Sequence, residues 1–476
     1  MNGCQSTTAL VHDLVGNMES MNDRVTAPRF SKRWFGNLLV GFVVLVLLPA
    51  AYYGLAQYKF NGSYSVFDEV SHMSYAWSVS HGNLPAKGDN VAQQVLDDWP
   101  CSGQDRSTIA SCKDGKATSQ FTVVQQYNYF HPPVYYFITG WFARIVSTIW
   151  TGISFMVAAR ALSIVWMVAG CIALYFALRS WKIEKIYCYA TVALIPFIPV
   201  FLNPGTAVTN DAPGLLAGAS TIWVSSMILL RQKKFLWPAV GLAFIFGLVK
   251  GTFVFQFLGL AAVLVLYGVW SLFRNTDDRQ RGKDLLIQGM AIGISGLVSL
   301  YSFTIFQSFR GDQSAKSVIQ GINTNPIVGS PLGELINTSM NWVLLADDGT
   351  LRGGMSDSVG YVPWIALLNV VILGAVGYVF FQQNSPKAYT VFAYVTALSL
   401  VLYPLIINFR QFLAANDFLP SVGERYGISI LPLVLCCWAL ALHQRRARAV
   451  AVVIPVLGAA VCFACLVMMP VFTIPS

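Results

Sequence analysis

The sequence predicts an all-α polytopic membrane protein with about eleven transmembrane helices, and three observations carry that prediction. Of its 476 residues, 55% are hydrophobic and only 11% charged, whereas a soluble domain carries about 25% charged residues. Apolar runs of about 20 residues, each long enough for one bilayer crossing, recur from Phe35 almost to the C-terminus. Lys and Arg gather in the short loops between those runs, as the positive-inside rule requires of cytoplasmic loops.

The elements follow in order. Residues 1–34 are polar and basic and read as a cytoplasmic tail; residues 35–476 read as a single transmembrane domain. The run from Phe35 to Gln57 is too long for a signal-peptide core and reads as an uncleaved first span. A large outer loop, 58–157, comes next. Within it the segment 132–150 is apolar, yet it opens with Pro132-Pro133 and holds Arg144. If it crossed, every later basic loop would face outward. The clusters Arg24–Arg33, Arg179–Lys185, Arg231–Lys234, Arg274–Lys283 and Arg445–Arg448 are all inside only if 132–150 is an interfacial or re-entrant helix. The remaining spans are expected near 158–178, 187–203, 212–230, 236–250, 252–273, 285–308, 361–381, 388–408, 427–442 and 449–470. This places the N-terminus inside, the C-terminus outside, a second large outer loop at 309–360 and shorter ones near 204–211 and 409–426.

In this arrangement the inner loops are strongly positive and the outer ones slightly negative. The overall charge of +9 is therefore a topology signal, and no nucleic-acid partner is expected. No soluble catalytic domain, low-complexity tract or internal repeat interrupts the pattern. Of the nine cysteines, Cys101 and Cys112 lie in the polar stretch "CSGQDRSTIASC", where an exported loop favours a disulfide. Cys436, Cys437, Cys462 and Cys465 sit in apolar runs without nearby histidines and read as small core residues rather than metal ligands.

The spans hold almost no ionisable residues in their interiors, where ion-coupled transporters usually carry them. Asp68, Glu69, Arg160, Asp211, Lys250, Arg410, Glu424 and Arg425 instead all fall at outer ends of spans. Five stretches stand out. In "SVFDEVSHMSYAWSVSHG" (65–82), a helix starting at Asp68 puts Asp68, His72 and Tyr75 on one face, with Val70, Met73 and Trp77 towards the other. That describes an amphipathic surface helix, although Asp68 as N-cap and Glu69 as first-turn acid would explain the carboxylates equally. In "NYFHPPVYYF" (128–137), two prolines start a helix just after His131. "NPGTAVTNDAPGLLAG" (203–218) carries Asp211 at a span start, where capping also accounts for it. "GLVKGTF" (247–253) carries Lys250, which snorkelling would explain. "VGERYGISILPLVL" (422–435) carries Arg425, which can anchor a span or grip a phosphate.

Together these stretches resemble the GT-C superfamily of membrane glycosyltransferases, which includes protein O-mannosyltransferases and the lipid A aminoarabinose transferase. The matching features are the acidic pair Asp68-Glu69 after the first span, the "HPPVYY" junction from His131 to Tyr136, and "AARALSIV" with Arg160. Asp211 matches a second-loop acid, Lys250-Gly251 a "KG" turn, and "GERYGISILP" the "GRYLLPxLP" segment of related bacterial proteins of unassigned sugar specificity. The resemblance covers residues 55–275 and then 422–435. Phe67 stands where the pattern has Pro, and His131 stands where the aminoarabinose transferases have Lys.

The resemblance implies a GT-C-like fold and transfer of a sugar from a polyprenyl-phosphate donor to a glycan, lipid or protein acceptor at the outer face. Asp68 would be the base, with Glu69 positioning or assisting it. Arg425, Lys250, Arg160 and His131 would be the donor-phosphate partners. Two adjacent carboxylates could instead share a divalent cation, with Asp211 as a further ligand. Membrane lipids surround the whole. The competing readings are a transporter or flippase of envelope lipids or saccharides, and a non-catalytic assembly partner.

Overall fold

The computed structural model describes residues 32–60, 64–65, 68–99, 112–113, 116–117, 125–274, 279–315, 330–340, 361–382, 385–419, 422 and 424–469. It divides into two units, Met1–Val43 and Val44–Ser476.

The helices, in chain order, begin with α1 (Lys32–Phe42), α2 (Leu48–Phe60), α3 (Glu69–Ser80), α4 (Gln93–Asp98), α5 (Val134–Ile149) and α6 (Phe155–Ser180). Then come α7 (Lys185–Leu194), α8 (Leu202–Thr206), α9 (Gly214–Ser225), α10 (Leu236–Val249), α11 (Phe255–Arg274) and α12 (Arg279–Ser308). The last are α13 (Pro331–Met340), α14 (Tyr361–Leu368), α15 (Gly374–Phe381), α16 (Lys387–Ala415), α17 (Leu431–Arg445) and α18 (Arg448–Met468). The described strands are a two-residue antiparallel pair, Cys112–Lys113 with Lys116–Ala117. The Cys101–Cys112 pairing lies outside the described residues.

The protein is an all-α polytopic membrane protein. Among the described residues, seven helices are long and apolar enough to cross a bilayer, and a bent pair would make eight. Gly214–Leu230, Leu236–Val249 and Leu431–Arg445 are apolar but shorter. Each segment expected to span contains helix, but length and composition support seven or eight crossings among the described residues. The expected span 187–203 is not continuous. Pro196 and Pro199 interrupt it, Pro204 follows just beyond, and Lys185–Phe197 meets Pro199–Thr206 at a 70° bend. Proline removes a backbone donor and pushes the preceding residue out of the helical region; Ile198, before Pro199, is extended at ψ 117.

Small residues set the closest packing. α11 and α12 run beside each other with Gly268, Gly282 and Gly289 at the seam. A Cβ on Gly268 would lie 2.8 Å from the Gly282 carbonyl oxygen, and one on Gly289 2.8 Å from that of Ala261. Such stripes let membrane helices approach where lipid offers no hydrophobic drive.

The described part of the loop 58–157 folds onto the ends of neighbouring helices. α3 is not the amphipathic surface helix its spacing suggested: Val70 and Met73 are buried, and so are Glu69, Ser71, His72, Ser74 and Tyr75. One side packs on α5, where Gly140 lies so close to the Ala76 carbonyl that no side chain fits between them. Tyr75 and Tyr136 stack there at 3.8 Å. On α5 itself Tyr135, Tyr136, Thr139, Gly140 and Ala143 are buried, while Phe137, Ile138, Trp141, Ile145 and Ile149 are exposed. An exposed apolar stripe on a short helix is the arrangement of a segment lying in a membrane interface. The loop is tied to the far end of α12 as well: Gln307 Nε2 donates to the carbonyls of Pro85 and Tyr129, both at 2.9 Å.

Candidate active site

The two neighbouring carboxylates have different fates. Asp68 is the N-cap of α3 but makes no capping hydrogen bond with its side chain, and its backbone is left-handed at φ 56. That conformation is tolerated by Asp better than by most residues. It turns the carboxylate away from the helix end. The Tyr127 hydroxyl donates to Oδ1 at 2.6 Å, and Arg425 Nη2 donates to Oδ2 at 3.0 Å. The Asp68 and Arg425 side chains are 30% and 22% exposed, so the pair opens to solvent.

Glu69, one residue on, is buried. Arg160 holds it in a fork, Nε to Oε1 at 2.8 Å and Nη2 to Oε2 at 2.7 Å. The amides of Ser65 and Val208 add 2.6 Å and 2.9 Å bonds to Oε2 and Oε1. One carboxylate thus joins the end of the first span, α6 and the chain after the 70° bend. Arg160, expected among the phosphate partners, is committed to this fork. Its helix starts where Ser154 Oγ accepts from the Val157 amide at 3.2 Å, placing Arg160 one and a half turns in.

A second buried ion pair lies beside it. Lys250 Nζ bonds Asp211 Oδ1, and both side chains are almost fully buried. Asp211 also accepts from Thr209 Oγ1 at 3.1 Å. Lys250 stands at the break between α10 and the 3-10 turn Gly251–Val254. Its ammonium lies 5.5 Å from the centre of the Tyr426 ring, and the Arg425 guanidinium lies 5.3 Å from the same ring. Tyr426 therefore joins the two cations.

The histidines complete the cluster. His72 Nδ1 is 2.7 Å from the Tyr136 hydroxyl, and the His72 and His131 rings stack at 5.9 Å. Burial drives the His72 pKa down to about 4, against the pull of Asp68. Burial, reinforced by Lys250, holds His131 well below its ordinary value too. Both rings are neutral at pH 7, so His131 supplies no fixed positive charge. Burial acts to raise the Asp68 carboxyl, but Arg425 above all, with His72 and the Tyr127 hydroxyl, holds it below its usual value.

A divalent cation does not fit these carboxylates. Asp68, Glu69 and Asp211 each face a different basic residue. Among the described residues no group of three or more His, Cys, Asp or Glu is arranged to hold a metal ion.

The structure thus brings Asp68, Arg425, His72, His131, Lys250 and Asp211 into one neighbourhood, and sets Glu69 and Arg160 aside as a buried pair. It adds Tyr127 and Tyr426, which sequence reading left unmarked, and gives Tyr136, the end of the "HPPVYY" junction, a partner in His72. Their only signal was aromatic density around His131 and beside Arg425.

No protein-family model and no curated protein sequence matches the chain. Solved structures with a similar fold include ArnT from Cupriavidus metallidurans bound to undecaprenyl phosphate. It is 12% identical over 88% of this chain and 63% of that one, with a TM-score of 0.45. Another is the Archaeoglobus fulgidus oligosaccharyltransferase in its apo form, 13% identical over 92% and 56%, with a TM-score of 0.44. The chain therefore spans less than two thirds of either structure.

Proposed function

We propose that the protein is a membrane glycosyltransferase that moves a sugar from a polyprenyl-phosphate donor to an acceptor hydroxyl at the extracytoplasmic face. The observation that supports this most is the state of Asp68. It is an ionised, half-exposed carboxylate in a left-handed backbone that does not cap its helix, and its partner is a cation from the other end of the chain. A group held this way is available for chemistry, whereas Glu69 is spent on architecture.

The acceptor oxygen attacks the anomeric carbon, its proton passes to Asp68, and the bond from that carbon to the phosphate oxygen breaks. The electron pair leaves with the polyprenyl phosphate. Phosphate leaves readily, so the needs are a base and a positive charge near the departing oxygens. Arg425 is the first choice for that charge, because a guanidinium fork matches phosphate. When the donor arrives, Arg425 turns towards it and Asp68 loses the partner that held its pKa down. The base is strengthened at the moment it is needed. Lys250 extends the positive region through Tyr426, and its pairing with Asp211 keeps it in place. Glu69 and Arg160 act as positioning residues that fix where Asp68 leaves the helix.

The test is purified protein with a panel of radiolabelled polyprenyl-phosphate sugars, scored for transfer to acceptor or water. Consumption of at least one donor is expected. Donor carried across vesicles without loss of its sugar would replace this reading with a flippase.

A further inference from the structure

The helices that carry the site have another charged end. α10 runs from Leu236 to Val249, just before Lys250, and α12 runs from Arg279 to Ser308, where Gln307 bonds the Pro85 and Tyr129 carbonyls of the loop that carries His131. At about 1.5 Å per residue, α10 is roughly 20 Å long and α12 roughly 45 Å, so their starts lie well away from the Lys250 end. Between those starts is a cleft of about 280 Å³ lined by Gln232, Lys233, Lys234, Arg281, Asp284 and Gln288, among others.

The cleft is built rather than accidental. Gln288 is buried, accepts from the Phe235 amide at 2.9 Å, and donates to the Asp284 carbonyl at 3.2 Å. This joins the turn before α10 to the third turn of α12. Gln232 adopts φ 54 in that turn. Lys234 pairs with Asp284 at 3.1 Å, which offsets one of three basic groups and leaves the lining with a net charge of +2. Among the described residues, neither Lys233 nor Arg281 has an ion pair. The amides of Gln232 and Gln280 add neutral donors.

A second, independent observation fixes the level of this end. Trp237 on the first turn of α10 is 78% exposed, and Trp270 and Phe273 on the last turns of α11 are 50% and 88% exposed. Exposed aromatics beside basic residues mark the headgroup level of a bilayer. A basic cleft between helix ends at that level matches a lipid phosphate.

We propose that this cleft binds the phosphate headgroup of an anionic phospholipid, in the leaflet at the end of the helices away from Asp68. Lys233 and Arg281 hold the phosphate, and the acyl chains run along the apolar flanks of α10 and α12. The site does not depend on the glycosyltransferase reading.

The experiment uses the full chain purified in detergent, with added phosphatidylglycerol, phosphatidylcholine or inorganic phosphate. Melting temperature and native mass spectrometry of retained lipid are the readouts. Phosphatidylglycerol is expected to raise the melting temperature by several degrees over phosphatidylcholine and to be retained as a discrete adduct. The double variant Lys233→Gln/Arg281→Gln should lose both effects while melting like wild type in phosphatidylcholine. Asp68→Asn should keep both. If that double variant does not fold, Lys233→Arg/Arg281→Lys, which keeps the charges, must retain the adduct. Equal shifts from the two lipids, or a double variant that retains the adduct, would overturn the proposal. Inorganic phosphate alone reproducing the shift would also overturn it, since the site would then be for a free anion.

Discussion

Asp68 and Glu69 are adjacent in the chain, but their surroundings assign them opposite work. Asp68 has one oxygen on Tyr127 and the other on Arg425, and its pKa is depressed. A depressed carboxylate stays ionised down to a pH below its ordinary range, so the acid limb of kcat/KM should lie below that range. In Arg425→Gln, burial acts with less opposition and the Asp68 pKa rises. The acid limb should move to higher pH, and KM for the donor should rise with it; an unmoved limb would count against the pairing. The same sign applies to stability: the Asp68–Arg425 contribution is full above the unfolded pKa and is lost as pH falls through the folded one. His72 works differently. Its folded pKa of about 4 lies below the unfolded value, so between those two values the unfolded chain binds the extra proton. Stability should therefore fall as pH drops from about 6.5 towards 4. Melting temperatures measured across that range for wild type and His72→Phe should show the slope shrinking in the variant.

At the scale of elements, the Glu69–Arg160 fork is the joint between α3, α6 and the segment after the 70° bend. Removing one partner of a buried pair leaves an uncompensated charge and costs about 3–5 kcal/mol. Arg160→Met should therefore lower the denaturation midpoint severely, and Glu69→Gln/Arg160→Met should recover part of the loss. Gly140→Leu should separate α5 from α3 and lower activity even where the chain stays folded, because Tyr136 and His72 would move with it. Much of this was legible in the sequence. The acidic pair after an apolar run, the double proline before α5, and the basic loops marked both the elements and the end of the bundle where the site lies. The division of labour was not legible. Glu69 finds Arg160 and Val208, 91 and 139 residues away, and Asp68 finds Arg425, 357 residues away, and no local pattern states which carboxylate turns which way. The interrupted span at 185–206 was written in its three prolines, but the mean hydropathy of the segment hid it. The helix Lys387–Ala415 runs past Arg410, where a loop was expected, because its exposed end still satisfies its own backbone.

For the whole molecule, the arrangement separates tasks along the helix axes. One end gathers Asp68, Arg425, Lys250 and the neutral histidines into a partly open cluster; the other gathers lysines and arginines around a cleft at the headgroup level. The spans between are apolar, which suits a protein that holds a prenyl chain and does chemistry only at its surface. The central claim is that Asp68 performs the reaction and Glu69 holds it in place. Asn also tolerates the left-handed backbone, so Asp68→Asn changes the chemistry with little change to the fold. The most direct measurement compares wild type, Asp68→Asn and Glu69→Gln for single-turnover consumption of a labelled polyprenyl-phosphate sugar, with melting temperatures taken in parallel. The expected result is a melting temperature only slightly below wild type and a rate lowered about 10²–10⁴-fold in Asp68→Asn, against a strongly lowered melting temperature in Glu69→Gln. Turnover near wild type in Asp68→Asn would contradict the claim outright.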